Sequence, residues 1–295
     1  MVTTSGGGFA LMVEGLSLAG AIESPMVIHL AQRPGPATGL PTRTEQGDIE
    51  FALHAGHGEF PRVILTPGTV QDAFFCAAHA FYLADKYQVP VFILTDQYLM
   101  DSYYNVKEFP AMPEGIKNYF VETGPDYQRY AKAKNGVSPR GIPGFGKGIV
   151  CVDSDEHDEG GYITEDAHVR TAMVDKRLKK SELLSKEVLE PELFSRGKNY
   201  KKLVVGWGST HHVIREALWR KTEKDTAYLY LPQVYPFPEQ AMTYFHKVSE
   251  VICVENNATG QLADIIRRET GFAVHRKVLK YNGLPFSVEE LTEKI

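Results

Sequence analysis

Cysteine is scarce in this chain of 295 residues: Cys76, Cys151 and Cys253 are all it has. They lie far apart with no C-x-x-C spacing. A disulfide framework is therefore improbable, and a [4Fe–4S] cluster, which takes about four thiolates, cannot be held by this chain alone. Each cysteine sits in apolar company and reads as packing. No run approaches the ~18 uninterrupted apolar residues of a membrane span. No charged-then-apolar leader follows Met1, so the expected location is the cytoplasm. Basic residues are not in excess: 32 Lys and Arg against 37 Asp and Glu leave a net charge of -5. That balance argues against nucleic acid or an anionic membrane as the main partner.

Several common site signatures are also missing. The turn Thr3-Thr4-Ser5-Gly6-Gly7-Gly8 resembles a phosphate cradle at a helix amino terminus, but it lacks the lysine of a P-loop. Its alternative is a tight strand-to-helix turn. Gly206-Trp207-Gly208 begins like a dinucleotide fingerprint, yet position 211 is His211 rather than glycine, and Trp207 would crowd a pyrophosphate. His54 and His57 are three apart among glycines, so no helix face holds both, and structural zinc wants four ligands. The acidic run Asp153 to Glu159 lacks the spacing of an EF-hand loop and reads as solvated. No spacing supports a Ser-His-Asp or Cys-His arrangement.

What is present is a globular α/β pattern. Hydrophobic residues make up 43% and charged residues 23%, and the length suits about two domains. Over residues 1–100, helix and strand alternate. A helix is expected from Phe9 to Ile22, a strand over Met26–Leu30, a short helix from Ile49 to His54 capped by Asp48, and a strand over Arg62–Thr66. A helix then spans Val70 to Tyr87 and a strand Pro90 to Leu94. Such repetition implies a parallel sheet covered on both faces. From Asp101 to about Gly148 the pattern breaks, which marks a functional or partner-wrapping segment. A lysine-rich helix follows, about His168 to Val188. Residues 199–295 repeat the α/β pattern, with strands at Leu203–Val205, Ala227–Leu231 and Val251–Val254 and helices at Thr210–Thr222 and Gly260–Glu269. The expected division is 1–135, a linker with its charged helix over 136–198, and 199–295.

One loop carries more information than the rest: Gln32-Arg33-Pro34-Gly35-Pro36-Ala37-Thr38-Gly39-Leu40-Pro41-Thr42. Its glycines and prolines forbid helix and shape the backbone. It leaves the carboxyl end of a strand, where open α/β sheets bind ligands. Arg33 there offers a planar fork of donors for a carboxylate or phosphate. The alternative is an ion-paired arginine in a stiff loop.

Taken in order, a set of segments resembles the alpha subunit of 2-oxoacid:ferredoxin oxidoreductases, above all the 2-oxoglutarate type. The set is Thr4 to Phe9, Gln32 through Thr42 with Gln46-Gly47-Asp48, His57 to Arg62, Tyr87 to Val91, and Glu156 to Gly160 with Ile163 to Asp166. It continues with Lys176-Arg177, Trp207-Gly208-Ser209, Pro236-Phe237-Pro238, and Glu255-Asn256 with Gly260-Gln261-Leu262. The resemblance implies a parallel-sheet, pyrimidine-type thiamine diphosphate domain, followed by an α/β domain like the carboxyl-terminal domain of transketolase. It implies oxidative decarboxylation of a 2-oxoacid to an acyl-coenzyme A, with electrons passing to ferredoxin. It also implies a beta subunit that shares the thiamine diphosphate and holds Mg2+ and a [4Fe–4S] cluster, together with a gamma subunit or domain.

By the same resemblance, Arg33 meets the substrate carboxylate and Thr38 is its hydroxyl partner. Thr4, Ser5, Gly6, Gly35, Gly39, His57 and Glu59 belong to cofactor-proximal loops, and Asp158 to gating or partner contact. The family's pyrimidine-binding glutamate lies ahead of the Thr-Ser-Gly-Gly-Gly turn. Glu14 and Glu23 fall within or after the next helix and do not replace it. The expectation is a chain that is inactive alone, with an exposed sheet edge that needs a partner. The alternatives are a related thiamine-dependent subunit that does not use ferredoxin and a non-catalytic assembly subunit.

Overall fold

Short apolar runs set the strands, and the turns between them set the helices, in a computed structural model that describes residues 1–106, 108–109 and 117–295. Part of the aperiodic stretch after Asp101, at Lys107 and 110–116, lies outside the described residues. The first sheet begins with β1 (Val2–Thr4), β2 (Met26–Gln32), β3 (Val63–Leu65) and β4 (Pro90–Asp96). Their connections are α1 (Gly6–Ala10), α2 (Val13–Ala21), α3 (Ile49–His54) and α4 (Val70–Tyr87), with α5 (Gln97–Asp101) after β4. The expected single helix from Phe9 to Ile22 is thus two helices that start earlier and break at Leu11-Met12. In α4 the ends are fixed by local chemistry. Thr69 accepts the Asp72 N–H at 2.9 Å, and Gln88 takes a left-handed φ of 54° after the last turn.

The aperiodic segment is not wholly irregular. β5 (Phe120–Thr123) and β6 (Arg140–Gly146) form a small parallel pair. Then come α6 (Ala167–Leu184), β7 (Glu192–Ser195), β8 (Lys202–Trp207), α7 (Thr210–Arg220), β9 (Thr226–Leu231) and β10 (Gln233–Tyr235). The chain continues through α8 (Ala241–Phe245), β11 (Glu250–Glu255), α9 (Gln261–Thr270), β12 (Arg276–Leu279) and α10 (Val288–Lys294).

The first sheet has the order β1-β2-β4-β3-β10 and the second β12-β11-β8-β9-β7. All pairings in both are parallel except β10 on β3 and β7 on β9, the outermost strand at one edge of each. β10 therefore closes the first sheet although it lies more than 130 positions after β4, and β7, inside the expected linker, belongs to the second sheet. The sheets share a core: Ile28, Leu30, Phe92 and Ile49 pack in one cluster with Leu203, Trp207, Leu229 and Ile265.

Helix α6 bears on the acidic run Asp153 to Glu159, which reads as solvated: the lysine-rich helix turns Lys176, Arg177 and Lys180 inward, where they are buried. Asp166 starts the helix by accepting the N–H groups of His168 and Val169, both at 2.9 Å. Lys176 and Lys180 both pair with Glu23, which follows α2, and Arg177 pairs with Glu156. The acidic run is thus partly consumed in ion pairs. Burial alone raises the Glu23 pKa, but Lys180 and Lys176 outweigh it and hold the carboxyl at about 2.

Removing one partner of a buried ion pair strands the others and costs about 3–5 kcal/mol. Glu23→Gln is expected to lower unfolding stability by about 3 kcal/mol at neutral pH, read by urea unfolding. Because the folded pKa is depressed, the wild-type advantage is present above the ordinary carboxyl value of 4.5 and is lost as pH falls toward about 2. A variant as stable as wild type at neutral pH would refute this.

Candidate functional site

The carboxyl ends of the first sheet's parallel strands bring the Gly-rich turn and the Arg33 loop to one end of the sheet. β1 ends at Thr4, Ser5 follows, and Gly6 opens α1, so the Gly-rich segment is a strand-to-helix turn. Beside it, β2 ends at Gln32 and releases the Arg33–Thr42 loop. That loop is neither helix nor strand. Gly39 closes it at φ +52°, where a Cβ would lie 1.8 Å from the Pro34 carbonyl oxygen, and Leu40 N–H donates to that same oxygen at 3.1 Å. Only glycine satisfies both demands. A Cβ on Gly7 would lie 3.8 Å from the Ala37 carbonyl oxygen, so the loop folds back over the turn. Thr4, Ser5, Gly6, Gly35 and Gly39 are in this way brought to the same end of the sheet as Arg33 and Thr38.

Arg33 is half-buried, and Thr38, Gly35 and Gly39 are exposed. Among the described residues no carboxylate pairs with Arg33, so the ion-paired alternative finds no partner there.

His57 and Glu59 are elsewhere. They precede β3 and therefore lie at its amino end, opposite the Arg33 loop. His57 N–H donates to Ser17 Oγ of α2 at 2.9 Å, and its ring lies 3.6 Å from Glu14. Both residues are exposed, and they line a cleft with Glu14, Glu156, Arg170 and Arg177. Their place before a strand rather than after one was readable in the sequence. Asp158 belongs to the same end. Its Oδ1 accepts Gly160 N–H at 2.8 Å and Tyr162 N–H at 3.1 Å, so it shapes a turn. Neighbouring His157 stacks 3.9 Å from Tyr130, whose hydroxyl donates to Ile22 O ahead of β2.

Polar residues frame the strand exits. Gln32 Nε2 donates to Thr95 O at 3.2 Å, and Gln32 Oε1 accepts Asp48 N–H at 2.9 Å. Asp96, at the end of β4, is buried and accepts Leu99 N–H at 2.9 Å and the Ser209 hydroxyl of the second sheet. Burial pushes its carboxyl up to about 6, against the opposing effect of those hydrogen bonds. Gln46 joins the sheets. Its Nε2 donates to Trp207 O at 2.8 Å, and its Oε1 accepts Asn256 N–H at 2.9 Å. Asn257 Nδ2 donates to Gln46 O at 3.0 Å. Trp207 and its glycines therefore serve sheet docking. Asp48 does not cap α3 with its side chain as expected. It is turned onto Gly6, where a Cβ would lie 2.7 Å from Oδ2, and that oxygen is sealed with no hydrogen-bond partner among the described residues. Burial raises the Asp48 carboxyl to about 6.

Residues 1–176 match the family described as "Pyruvate flavodoxin/ferredoxin oxidoreductase, thiamine diP-bdg". The chain belongs to this family of 2-oxoacid:ferredoxin oxidoreductases. It is 39% identical over 302 residues to 2-oxoacid:ferredoxin oxidoreductase 1, subunit alpha, of Sulfurisphaera tokodaii, covering 99% of this chain and 47% of that one. It is 31% identical over 265 residues to 2-oxoglutarate synthase subunit KorA of Methanocaldococcus jannaschii, covering 87% of this chain and 69% of that one. Among solved structures it is similar to the 2-oxoglutarate:ferredoxin oxidoreductase of Magnetococcus marinus with 2-oxoglutarate, coenzyme A and succinyl-CoA bound. There the TM-score is 0.87 and the identity 30%, covering 99% of this chain and 52% of that chain. The chain spans about half the length of the first curated relatives it matches.

The family description names thiamine diphosphate binding, and the strand exits offer the Gly-rich turn at the start of α1 and an unpartnered Arg33 among the described residues; the side chain of Asp48 fills the space that a Cβ on Gly6 would take. The rigidity of these strand exits depends on Gln46. Gln46→Leu leaves the Asn256 N–H without its partner, while Trp207 O keeps the Thr210 hydroxyl, and is expected to cost about 1–3 kcal/mol, the cost of one buried group left unsatisfied. Thermal and urea unfolding check this, and an unchanged midpoint would refute it.

Proposed function

We propose that this chain is the pyrimidine-side part of a 2-oxoacid:ferredoxin oxidoreductase acting on 2-oxoglutarate. The single observation that carries this reading is Arg33, a guanidinium without a carboxylate partner among the described residues. It sits in a rigid loop over the Thr4–Gly7 turn at the strand exits. A 2-oxoacid presents a carboxylate, and the arginine fork matches it in two parallel hydrogen bonds. Thr38, exposed in the same loop, supplies a hydroxyl. Holding the acid by its carboxylate fixes the keto carbon relative to the reacting centre, so an encounter between two molecules becomes an oriented one.

Thiamine diphosphate supplies a nucleophilic carbon and an electron sink. This chain contributes Thr4, Ser5, Gly6 and Gly7 on one side, the Arg33–Thr42 loop on another, and Gln32 with Asp48 beneath. Among the described residues no group of three or more His, Cys, Asp or Glu is placed to hold a metal ion. We therefore assign Mg2+ and the [4Fe–4S] cluster to a beta subunit, which shares the cofactor. Coenzyme A is the acyl acceptor, ferredoxin the electron acceptor, and a gamma subunit or domain completes the assembly. Among the described residues no helix is long and apolar enough to cross a membrane, and three free thiols suit the reducing cytoplasm.

The test is Arg33→Ala in the full subunit assembled with its partner chains, followed by 2-oxoglutarate-dependent viologen reduction. A hydrogen bond to a charged group is worth about 1.5–3 kcal/mol, so KM is expected to rise roughly 10- to 100-fold. Arg33→Lys should recover part of this. Unchanged KM and turnover with assembly retained would overturn the substrate-binding role and favour an assembly subunit.

A further inference from the structure

Strand β7 is the outermost member of the second sheet, antiparallel to β9. One row of its N–H and C=O groups therefore faces no strand among the described residues. Beside it, between β7 and α7, lies a cavity of about 270 Å³. Leu193, Phe194, Ser195 and Arg196 all reach this cavity. Successive strand residues point to opposite faces, so a hollow touched by four in a row straddles the sheet edge. Leu218 and Trp219 of α7 and Tyr228 of β9 complete an apolar wall. Trp219 is 69% exposed and Leu193 36%, whereas the second tryptophan, Trp207, is sealed.

No carboxylate lines the cavity, and two arginines do. Arg196 lies 5.3 Å from the Trp219 ring and donates to Leu218 O at 3.1 Å and Trp219 O at 3.0 Å, which closes the end of α7. Arg215 lies 4.3 Å over the Phe194 ring and 3.4 Å from His211 Nε2. Among the described residues no carboxylate comes within ion-pairing distance of Arg215. Glu192 acts on it only at longer range, and Glu216 is committed to Arg220 at 2.8 Å. The rim is basic as well. A Cβ on Gly197 would lie 3.1 Å from Lys224 O, so the turn after β7 meets the turn after α7. These turns carry Lys198, Lys221 and Lys224 against the single acid Glu223. On a chain of net charge -5 this patch has the opposite sign.

We propose that this sheet edge docks an extended acidic segment of a partner protein. The segment pairs with the open side of β7, sets one large apolar side chain beside Trp219 and Phe194, and lays its carboxylates on Arg215 and the basic rim. The volume selects this occupant, because small-molecule pockets run to about 300–1,000 Å³ and this one has room for a single large side chain. The open edge selects it too, since unpaired N–H and C=O groups recognise another main chain. An exposed tryptophan with an arginine is the combination that dominates protein interfaces. A nucleic acid offers neither main chain nor apolar anchor, and the negative chain repels it. Thr226, the first residue of β9, lines the cavity, whereas Gln46 meets the parallel β8 at its last residue. The edge thus lies a strand's length from the junction with the first sheet, away from the strand exits.

The experiment selects binders from a phage-displayed library of random peptides on the full chain. Affinities of the enriched peptides are then measured by fluorescence anisotropy, on the full chain and on the assembled enzyme. Expected are sequences with acidic residues on both sides of a large apolar one. Trp219→Ala should weaken them roughly 30-fold, the scale of an interface hot spot. Arg215→Glu should weaken them about tenfold and flatten the dependence on salt between about 0.05 and about 0.3 M. Lys198→Glu, on an exposed turn, should act in the same direction about threefold. All three variants should keep the thermal midpoint and the 2-oxoglutarate-dependent turnover of the assembled enzyme. Peptides that bind the full chain and not the assembled enzyme assign the edge to a companion subunit, and peptides that bind both assign it to an external protein. No enrichment, enrichment of sequences without acidic residues, or peptides indifferent to Trp219→Ala and Arg215→Glu would overturn the proposal. So would single-stranded DNA or inorganic diphosphate that binds at these residues more tightly than any enriched peptide.

Discussion

One primary amide holds the two halves of this molecule in register. Gln46 is buried at the junction. Its side chain reaches the end of β8 through Trp207 and the end of β11 through Asn256, while its main chain is bound by Asn256 and Asn257. In a dry interior such groups must be satisfied together or not at all. The segment that carries Gln46 also carries Asp48, so the network that docks the sheets also sets the Asp48 carboxylate against Gly6 at the strand exits. The Arg33 loop is braced from beneath by Gln32, which binds both Thr95 and Asp48. A ligand at the strand exits therefore meets groups fixed by long-range contacts rather than by the loops alone.

Much of the fold was legible where runs were long and uniform. The α4 boundaries follow from Val70 to Tyr87 in the sequence, because a cap residue and helical spacing agree there. The central strands follow from Met26–Leu30, Pro90–Leu94 and Leu203–Val205, although each extends further in the structure. β1, β7, β10 and β12 were not legible. Three or four residues carry no period, and their existence depends on an adjacent strand. The buried role of α6 was hidden for another reason. Its inner face is lysine and arginine neutralised by Glu23 and Glu156, so polarity gave no contrast between inside and outside.

The site was legible in part. Glycine and proline mark the Arg33 loop because the backbone there must turn without helix or strand, and its place after an apolar strand makes it a candidate ligand loop. Asp48 reads as a helix cap because an aspartate before a helix has that ordinary role, and only the fold shows its side chain lying against Gly6 instead. His57 and Glu59 were grouped with the strand exits because motifs were read in chain order. Which end of a parallel strand a loop serves depends on whether it enters or leaves that strand, and these two residues enter β3. The result is a molecule with two polar ends, one built from strand exits and one from the acidic and basic side chains that tie α6 to the sheet.

The antiparallel strand β10 has a consequence for how the chain comes into being. The first sheet borrows its last member from a point far downstream, beyond the middle of the second sheet. A nascent polypeptide cannot finish its leading sheet on the ribosome until most of the trailing unit has emerged. The leading segment must wait with β3 unpaired along one side, and severing the chain between the two sheets would leave that side open to any extended peptide able to pair with it.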